Sequence, residues 1–288
     1  MTASAPAGDA ITARLHELYH DASKHSVYQS VPTFLAQALG YQEEIHSLWR
    51  SDAPRYDYLA SRLDLSPGAS VADVGANTGF FSLNLAHDRP DIQVAAYEMN
   101  PRHAEFIRLA AVTCGLDGVE VRTESCDLAG WAKLPEFEAV LLLNVLHHAG
   151  FDFDREIADD NAAFTAHACD YLTRLRSRAR RIVFQIGSNR GGDKSRPLYP
   201  RDDDTARLDW LAQVLGAAGW RPAALGYAQL DATGAVVFRD APAFVLDAVQ
   251  RGEVKTAEVA GFLAAADLGR FPGEFHRRPL VIASRREF

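Results

Sequence analysis

Four stretches of this chain carry residue types at spacings that could do chemistry. The first is Asp73-Val74-Gly75-Ala76-Asn77-Thr78-Gly79, two glycines four residues apart behind an apolar run. Such a strand-to-helix turn brings backbone N–H groups and a helix N-terminus close to a ligand. The second is His147-His148, at the end of the apolar run AVLLLNVL (139–146). Histidine titrates near neutrality, so both are candidates for a general base. The third is YHDASKHSVYQS (19–30), too dense in Tyr, His, Lys and Gln for a plain amphipathic helix. From it we take His25 as a further catalytic candidate, Tyr28 and Gln29 as cofactor contacts, and Tyr19 and Lys24 as substrate contacts. The fourth is GSNRGGDKSRP (187–197), made pliable by its glycines and cationic by its basic residues, with Arg190 as a clamp for a carboxylate or phosphate.

Two familiar ligands of glycine turns are excluded by spacing. The dinucleotide fingerprint is G-x-G-x-x-G, whose close glycines admit a pyrophosphate. Here Ala76, Asn77 and Thr78 separate Gly75 from Gly79. No Gly-Lys-Ser/Thr follows, so this is no P-loop either. The stretch HHAGFDFDREIADD (147–160) has the composition of a metal site. Adjacent histidines point different ways on most backbones, however, and the acids read as the start of a following helix; no metal is expected.

The elements that must position these residues alternate between apolar runs and helical periodicity from about residue 69, as a parallel α/β sheet requires. Strands are predicted at 70–75, 92–98, 119–123, 138–144 and 181–187, with further ones at 221–228 and 278–285. Most are near-continuous apolar runs, expected where both faces are covered. Asn100-Pro101 opens a helix, with Asn at the N-cap and Pro at the first helical position. The predicted fold class is α/β: an open, mostly parallel, seven-stranded, doubly wound sheet with helices on both faces. An N-terminal helical cap over 1–64 precedes a main domain over 65–288. An insertion at about 229–277 comes before the last strand.

Composition bounds the partners. The 288 residues, 48% hydrophobic, suffice for a large core, and the formal net charge is −8. Tight nucleic-acid binding depends on neutralising phosphates, so no nucleic-acid partner is expected. Three cysteines far apart, with no C-x-x-C pair, point to a reducing compartment without disulfides. MTASAPAG lacks the basic and apolar regions of a signal peptide, and no apolar run reaches membrane length. We expect a cytoplasmic protein with no membrane partner, and allow for a homodimer.

Over roughly residues 69–228 the chain resembles the class I S-adenosylmethionine-dependent methyltransferases. Asp73-Val74-Gly75-Ala76-Asn77-Thr78-Gly79 matches their first motif and Glu98, in AAYEMNP, their second. Cys126-Asp127 matches their third and LLLNVLHH (141–148) their fourth, in order and at compatible spacing. The resemblance implies S-adenosylmethionine as cofactor, with S-adenosylhomocysteine as product. Glu98 would accept from the ribose hydroxyls, since an ionised carboxylate offers only acceptors. Gly75 and Gly79 would admit the cofactor's backbone approach, with Asn77 between them. Met99 would lie on the adenine face, and Asp127 would accept from the adenine amino group. Asp73 and Asn144 would contact the amino-acid end. Many members carry a similar Leu-His-His stretch without using it as a base, so the roles of His147 and His148 stay open. The expected reaction moves a methyl to an O, N or C atom of a small-molecule acceptor in specialised metabolism. The alternatives are an RNA methyltransferase, which the charge disfavours, and a non-catalytic cofactor-binding relative.

Overall fold

The computed structural model describes residues 7–19, 29–40, 51–200, 203–271 and 274–286. The predicted site residues Lys24, His25 and Tyr28 lie outside the described residues. In chain order, helices α1 (Ala7–Tyr19), α2 (Thr33–Leu39) and α3 (Asp52–Ala60) come first. Then follow β1 (Ser70–Val74), α4 (Phe80–Asp88), β2 (Gln93–Tyr97), α5 (Pro101–Thr113), β3 (Val119–Arg122) and β4 (Phe137–Leu143). The rest are α6 (Asn161–Arg176), β5 (Ala179–Gln185), α7 (Asp204–Ala217), β6 (Trp220–Leu230), β7 (Val236–Asp240), α8 (Ala243–Arg251), α9 (Ala257–Ala266) and β8 (Leu280–Arg285). They form two compact units: the described parts of Met1–His46 with Ser66–Ser125, and of Ser47–Leu65 with Cys126–Phe288.

In the first unit β1 and β3 flank β2, all parallel, with Val71 opposite Val94 and Ala96 opposite Val121. β1 is short because four of its five residues are buried and Gly75 ends it in a left-handed conformation (φ 68°). Asn100 caps α5 as its composition predicts, its side chain accepting from Arg102 N with Pro101 at the first position. The buried stripe Leu15, Leu18 and Tyr19 of α1, at helical spacing, packs with Phe106, Ile107 and Ala110 of α5. Beside this seam Arg14 makes a two-pronged bond to Glu105, 2.8 Å through each nitrogen.

In the second unit the strand order is β4-β5-β8-β6-β7. β4 and β5 are parallel, while β8 runs antiparallel between β5 and β6. Pro222 sits inside β6 where the register shifts, a bulge that tolerates the missing N–H. β7 pairs antiparallel with β6, so the strands among the described residues total eight rather than the predicted seven. The extra strand comes from the stretch read as an insertion. Its turn is made by Asp231, whose Oδ1 accepts from Thr233 N and Ala235 N, and by Gly234 at φ 85°. Val236 and Phe238 alternate inward, but two buried positions are too few to register against the flanking charges. The remainder of that stretch is largely helical, α8 and α9.

Candidate active site

The glycine turn of the first unit spends its own donors. Gly75 N and Ala76 N both donate to Tyr97 O, at 2.9 and 3.0 Å. Asn77 N donates to Glu98 Oε2 (2.7 Å), Thr78 N to Asn77 Oδ1 (2.8 Å) and Gly79 N to Ala76 O (2.8 Å). Phe80 N, the first amide of α4, donates to Gln29 Oε1 (3.1 Å). Six consecutive N–H groups are thus committed. A phosphate cradle needs such groups pointing outward, so the turn is built for a ligand held by shape and side chains.

The two glycines do different work. Gly79 (φ 80°) is buried, and a Cβ there would lie 2.8 Å from Ile107 Cγ1 of α5. It lets a helix approach. Gly75 (φ 68°) is exposed where β1 ends, leaving its backbone open. Asn77 also holds a left-handed backbone (φ 54°), which Asn tolerates better than most side chains. Asp73 is 2% exposed, and its Oδ2 accepts from Ser82 Oγ at 2.7 Å, joining β1 to α4.

Glu98 ends β2 nearly buried. One carboxylate oxygen accepts from Asn77 N and the other from Asn100 N, at 2.7 and 2.8 Å. Each oxygen keeps a second lone pair, so the group can accept twice more, as a vicinal diol would ask. Burial pushes the Glu98 carboxyl up to about 7, against the pull of the two N–H donors. His103 Nδ1 lies 3.9 Å from Glu98 Oε1. Met99, next in the chain, is 56% exposed, an apolar face open to a ligand.

The N-terminal segment reaches the turn through one side chain. Gln29 Oε1 accepts from Thr78 Oγ1 (3.0 Å) as well as Phe80 N, and Gln29 O accepts from the Tyr19 hydroxyl (2.9 Å). Gln29 and Tyr19 are both buried. A helix N-terminus without a side-chain acceptor loses about 1 kcal/mol. Gln29→Ala should therefore lower stability by about that amount and loosen the turn, while Gln29→Glu, which keeps the acceptor, should recover most of it; thermal unfolding of the three proteins checks this.

In the second unit, the ends of β4 and β5 carry a buried polar network. Gln185 Oε1 accepts from Asn144 Nδ2 (2.9 Å) and Arg55 Nη1 (3.0 Å). Gln185 Nε2 donates to Arg278 O, and Arg278 Nη1 donates to Asn144 Oδ1 (2.8 Å). Arg55 also pairs with Asp52, both almost fully buried. His147 is 5% exposed, and its Nδ1 accepts from Gly187 N at 3.3 Å. A backbone N–H can donate only to an unprotonated Nδ1, so this ring is in its Nε2–H form. His148 is more open, with Nδ1 2.9 Å from Asp152 Oδ2, an ion-pair distance. Its ring centroid lies 4.2 Å from that of His147.

Cys126 and Asp127 sit between β3 and β4. Cys126 O accepts from the Tyr171 hydroxyl (2.6 Å), and Asp127 Oδ1 accepts from Gly130 N (2.6 Å), closing a short turn. The amide of Leu128 donates to the Asp154 carboxylate at 3.1–3.2 Å, and His167 Nε2 lies 3.1 Å from Asp154 Oδ2. Burial pushes the Asp154 carboxyl up and the His167 imidazole down, moving both toward their neutral forms. Among the described residues no group of three or more His, Cys, Asp or Glu could hold a metal ion. No helix among them is long and apolar enough to cross a membrane.

A cavity of about 240 Å³ opens beside His148, lined by Ala149, Gly150, Phe151, Ile157, Phe164, Arg155, Arg190, Arg196 and Asp159, among others. Arg190 is 8% exposed and held in place: Nε donates to Asn161 Oδ1 (2.9 Å), Nη1 to Asp159 Oδ1 (2.6 Å) and Nη2 to Asp159 O (3.4 Å).

No known family profile matches the chain. It is 38% identical over 78 residues to ribosomal RNA small subunit methyltransferase G of Sorangium cellulosum, 27% of this chain and 33% of that protein. The protein of the same name from Moorella thermoacetica is 34% identical over 83 residues, 29% of this chain and 33% of its own length. Over the matched stretch the chain is similar to these methyltransferases. It spans about a third of the length of the curated relatives it matches. Among solved structures, the bifunctional kinase-methyltransferase WbdD aligns at 20% identity and a TM-score of 0.46, over 65% of this chain and 39% of that one.

Of the residues singled out in the sequence, Tyr19, Gln29, Asp73, Gly75, Asn77, Gly79, Glu98 and Met99 fall in the first unit. Cys126, Asp127, Asn144, His147, His148 and Arg190 fall in the second. The Asn144 side chain faces Gln185 and Arg278, Asp73 faces Ser82, and the Asp127 carboxylate closes its own turn. Sequence reasoning missed Arg55, Gln185 and Asp154 because their bonds to distant segments span 26 to 130 positions of chain, with no local spacing to betray them. Glu-like acceptors after a strand could have pointed to Gln185.

Proposed function

We propose that the protein is an S-adenosylmethionine-dependent methyltransferase acting on a small molecule. The observation that carries the cofactor is Glu98: a buried carboxylate with two lone pairs to spare, beside a turn whose N–H groups are all spent. That pairing suits a ribose diol and excludes a pyrophosphate. Bound there, the cofactor supplies an electrophilic methyl on a sulfonium. Glu98 holds the ribose, Met99 covers an adenine face, and Gly75 leaves room at the turn. Gln29 keeps α4 in place under the ligand. Asp73 supports the turn from below through Ser82 rather than meeting the ligand itself.

His148 is the better of the two base candidates. The His147 Nδ1 lone pair already receives Gly187 N–H, and the ring is packed against the Gly187 backbone. His148 is less buried than His147, and Asp152 Oδ2 lies 2.9 Å from its Nδ1, close enough to stabilise an imidazolium. General-base assistance contributes typically 10²–10⁴-fold. His148→Ala should lower kcat by about 10² or more with KM little changed, and Asp152→Asn should lower it less. Loss confined to His147→Ala would reverse the assignment.

One observation favours an RNA acceptor: the matched relatives are named ribosomal RNA methyltransferases. Against it stand the net charge of −8 and an acceptor-sized cavity next to His148. Incubation with S-adenosylmethionine labelled in its methyl, against a small-metabolite extract and against total RNA in parallel, decides between them. We expect label in the metabolite fraction. Label in RNA alone would replace the small-molecule reading.

A further inference from the structure

Resting on the methyltransferase reading, we propose that the cavity between the segments following β4 and β5 is the acceptor pocket, and that it takes an aromatic or compact apolar molecule carrying a carboxylate or phosphate. The walls supply both halves of that chemistry. Phe151, Ile157 and Phe164 are apolar. Arg155, Arg190 and Arg196 line it together with Asp159, the one carboxylate among the lining residues. Asp159 is shared: Oδ1 accepts from Arg190 and Oδ2 from Arg196 at 2.9 Å, while Arg196 Nε also lies 3.4 Å from Oδ2 of exposed Asp193. Three cations against two carboxylates leave a net positive charge, which an entering anion offsets.

The cations are also positioned for it. Arg190 uses three of its five N–H groups on Asp159 and Asn161, leaving one on each terminal nitrogen without a partner among the described residues. Its guanidinium is buried and fixed, so little ordering entropy is lost on binding a two-oxygen anion. Arg196 lies over the Phe151 ring at 5.1 Å, and Gly191 presses on the other side of that loop, where a Cβ would sit 2.6 Å from the ring. Arg155 is exposed and pairs with no carboxylate among the described residues. Buried Arg190, partly exposed Arg196 and exposed Arg155 make an anion clamp with an apolar floor. His148 directly precedes the lining residues Ala149 and Gly150 in the chain.

The test titrates phenyl phosphate, benzoate and the neutral benzyl alcohol into the full-length protein saturated with S-adenosylhomocysteine, read by calorimetry and ligand-observed NMR. S-adenosylhomocysteine binding is measured first and separately. We expect saturable binding of both anions, at least about tenfold tighter than benzyl alcohol, since charge-assisted hydrogen bonds are the strong ones. Arg155→Gln, a surface change, should weaken anion binding about fivefold or more and leave S-adenosylhomocysteine affinity unchanged. Arg190→Gln should abolish it, with far-UV circular dichroism confirming the fold. Equal binding of the alcohol, or anion affinity indifferent to Arg155→Gln, overturns the proposal. Binding of a short oligoribonucleotide that depends on Arg155, with no binding of the aryl anions, overturns it in favour of an RNA phosphate. Loss of S-adenosylhomocysteine binding in the wild type with the anion series intact sinks the methyltransferase reading and leaves the anion pocket standing.

Discussion

Glu98→Gln weakens S-adenosylhomocysteine binding by about two orders of magnitude, or ~2.7 kcal/mol, and removes its pH dependence. The change is isosteric, so no cavity forms. Yet the amide offers one oxygen where the carboxylate offered two, and the carboxylate accepts from Asn77 N on one side and Asn100 N on the other. Whichever way the amide is turned, its NH₂ meets a backbone N–H. A buried donor left without an acceptor costs about 1–3 kcal/mol, and one ribose bond is lost besides. The pH signature has a definite sign. The Glu98 carboxyl titrates near 7 in the fold against an ordinary value of 4.5. Between these values the folded chain holds a proton that the unfolded chain has released. The group's contribution to stability is therefore full below about 4.5 and is lost as pH rises through about 7. Ribose hydroxyls donate more strongly to the ionised form, so binding favours release of the proton. Affinity should rise with pH up to about 7 and then level off, and calorimetry in buffers of different ionisation enthalpy should count the proton. In Glu98→Gln both slopes vanish. A wild-type affinity that falls with rising pH contradicts this account.

Gly79→Ala should cost about 2–4 kcal/mol, near 10 °C in melting temperature for a chain of this size. Two penalties add. A left-handed backbone at φ 80° costs a residue with a side chain about 1–2 kcal/mol. The new Cβ would also meet Ile107 Cγ1 at 2.8 Å. Ile107 is fully buried in α5, so it has little room to retreat. Gly79→Ala with Ile107→Val should recover little of the loss, because valine keeps the Cγ atoms that the new Cβ meets and the backbone strain stays. Full recovery in the double variant would contradict both penalties. Unfolding by denaturant, with the midpoint and slope read together, measures both.

The parts of the fold that were legible in the sequence are those written in short intervals. Gly75-x-x-x-Gly79, Glu98 after β2 and Asn100-Pro101 at the start of α5 each act within a turn or a strand of their neighbours, and each stands where its spacing puts it. The reason for Gly79 was not legible, because it lies in Ile107, 28 positions away, and in the angle at which α5 crosses. Gln29 reads as a pocket residue in a polar stretch, whereas the structure puts its amide oxygen on Thr78 and Phe80. Asn144 follows its strand as expected, but its side chain answers to Gln185 and Arg278, which only the pairing of β4 with β5 and of β5 with β8 brings near. β7 was hidden for a related reason: an edge strand of five residues ending in Arg239-Asp240 has too little apolar period to distinguish it from a loop.

Isothermal titration of the wild-type chain with S-adenosylhomocysteine tests the central claim most directly. One saturable site per chain, binding tighter at pH 7.5 than at pH 6, is the result expected from a buried Glu98 that ionises to take a ribose. The absence of any saturable heat at either pH would contradict it.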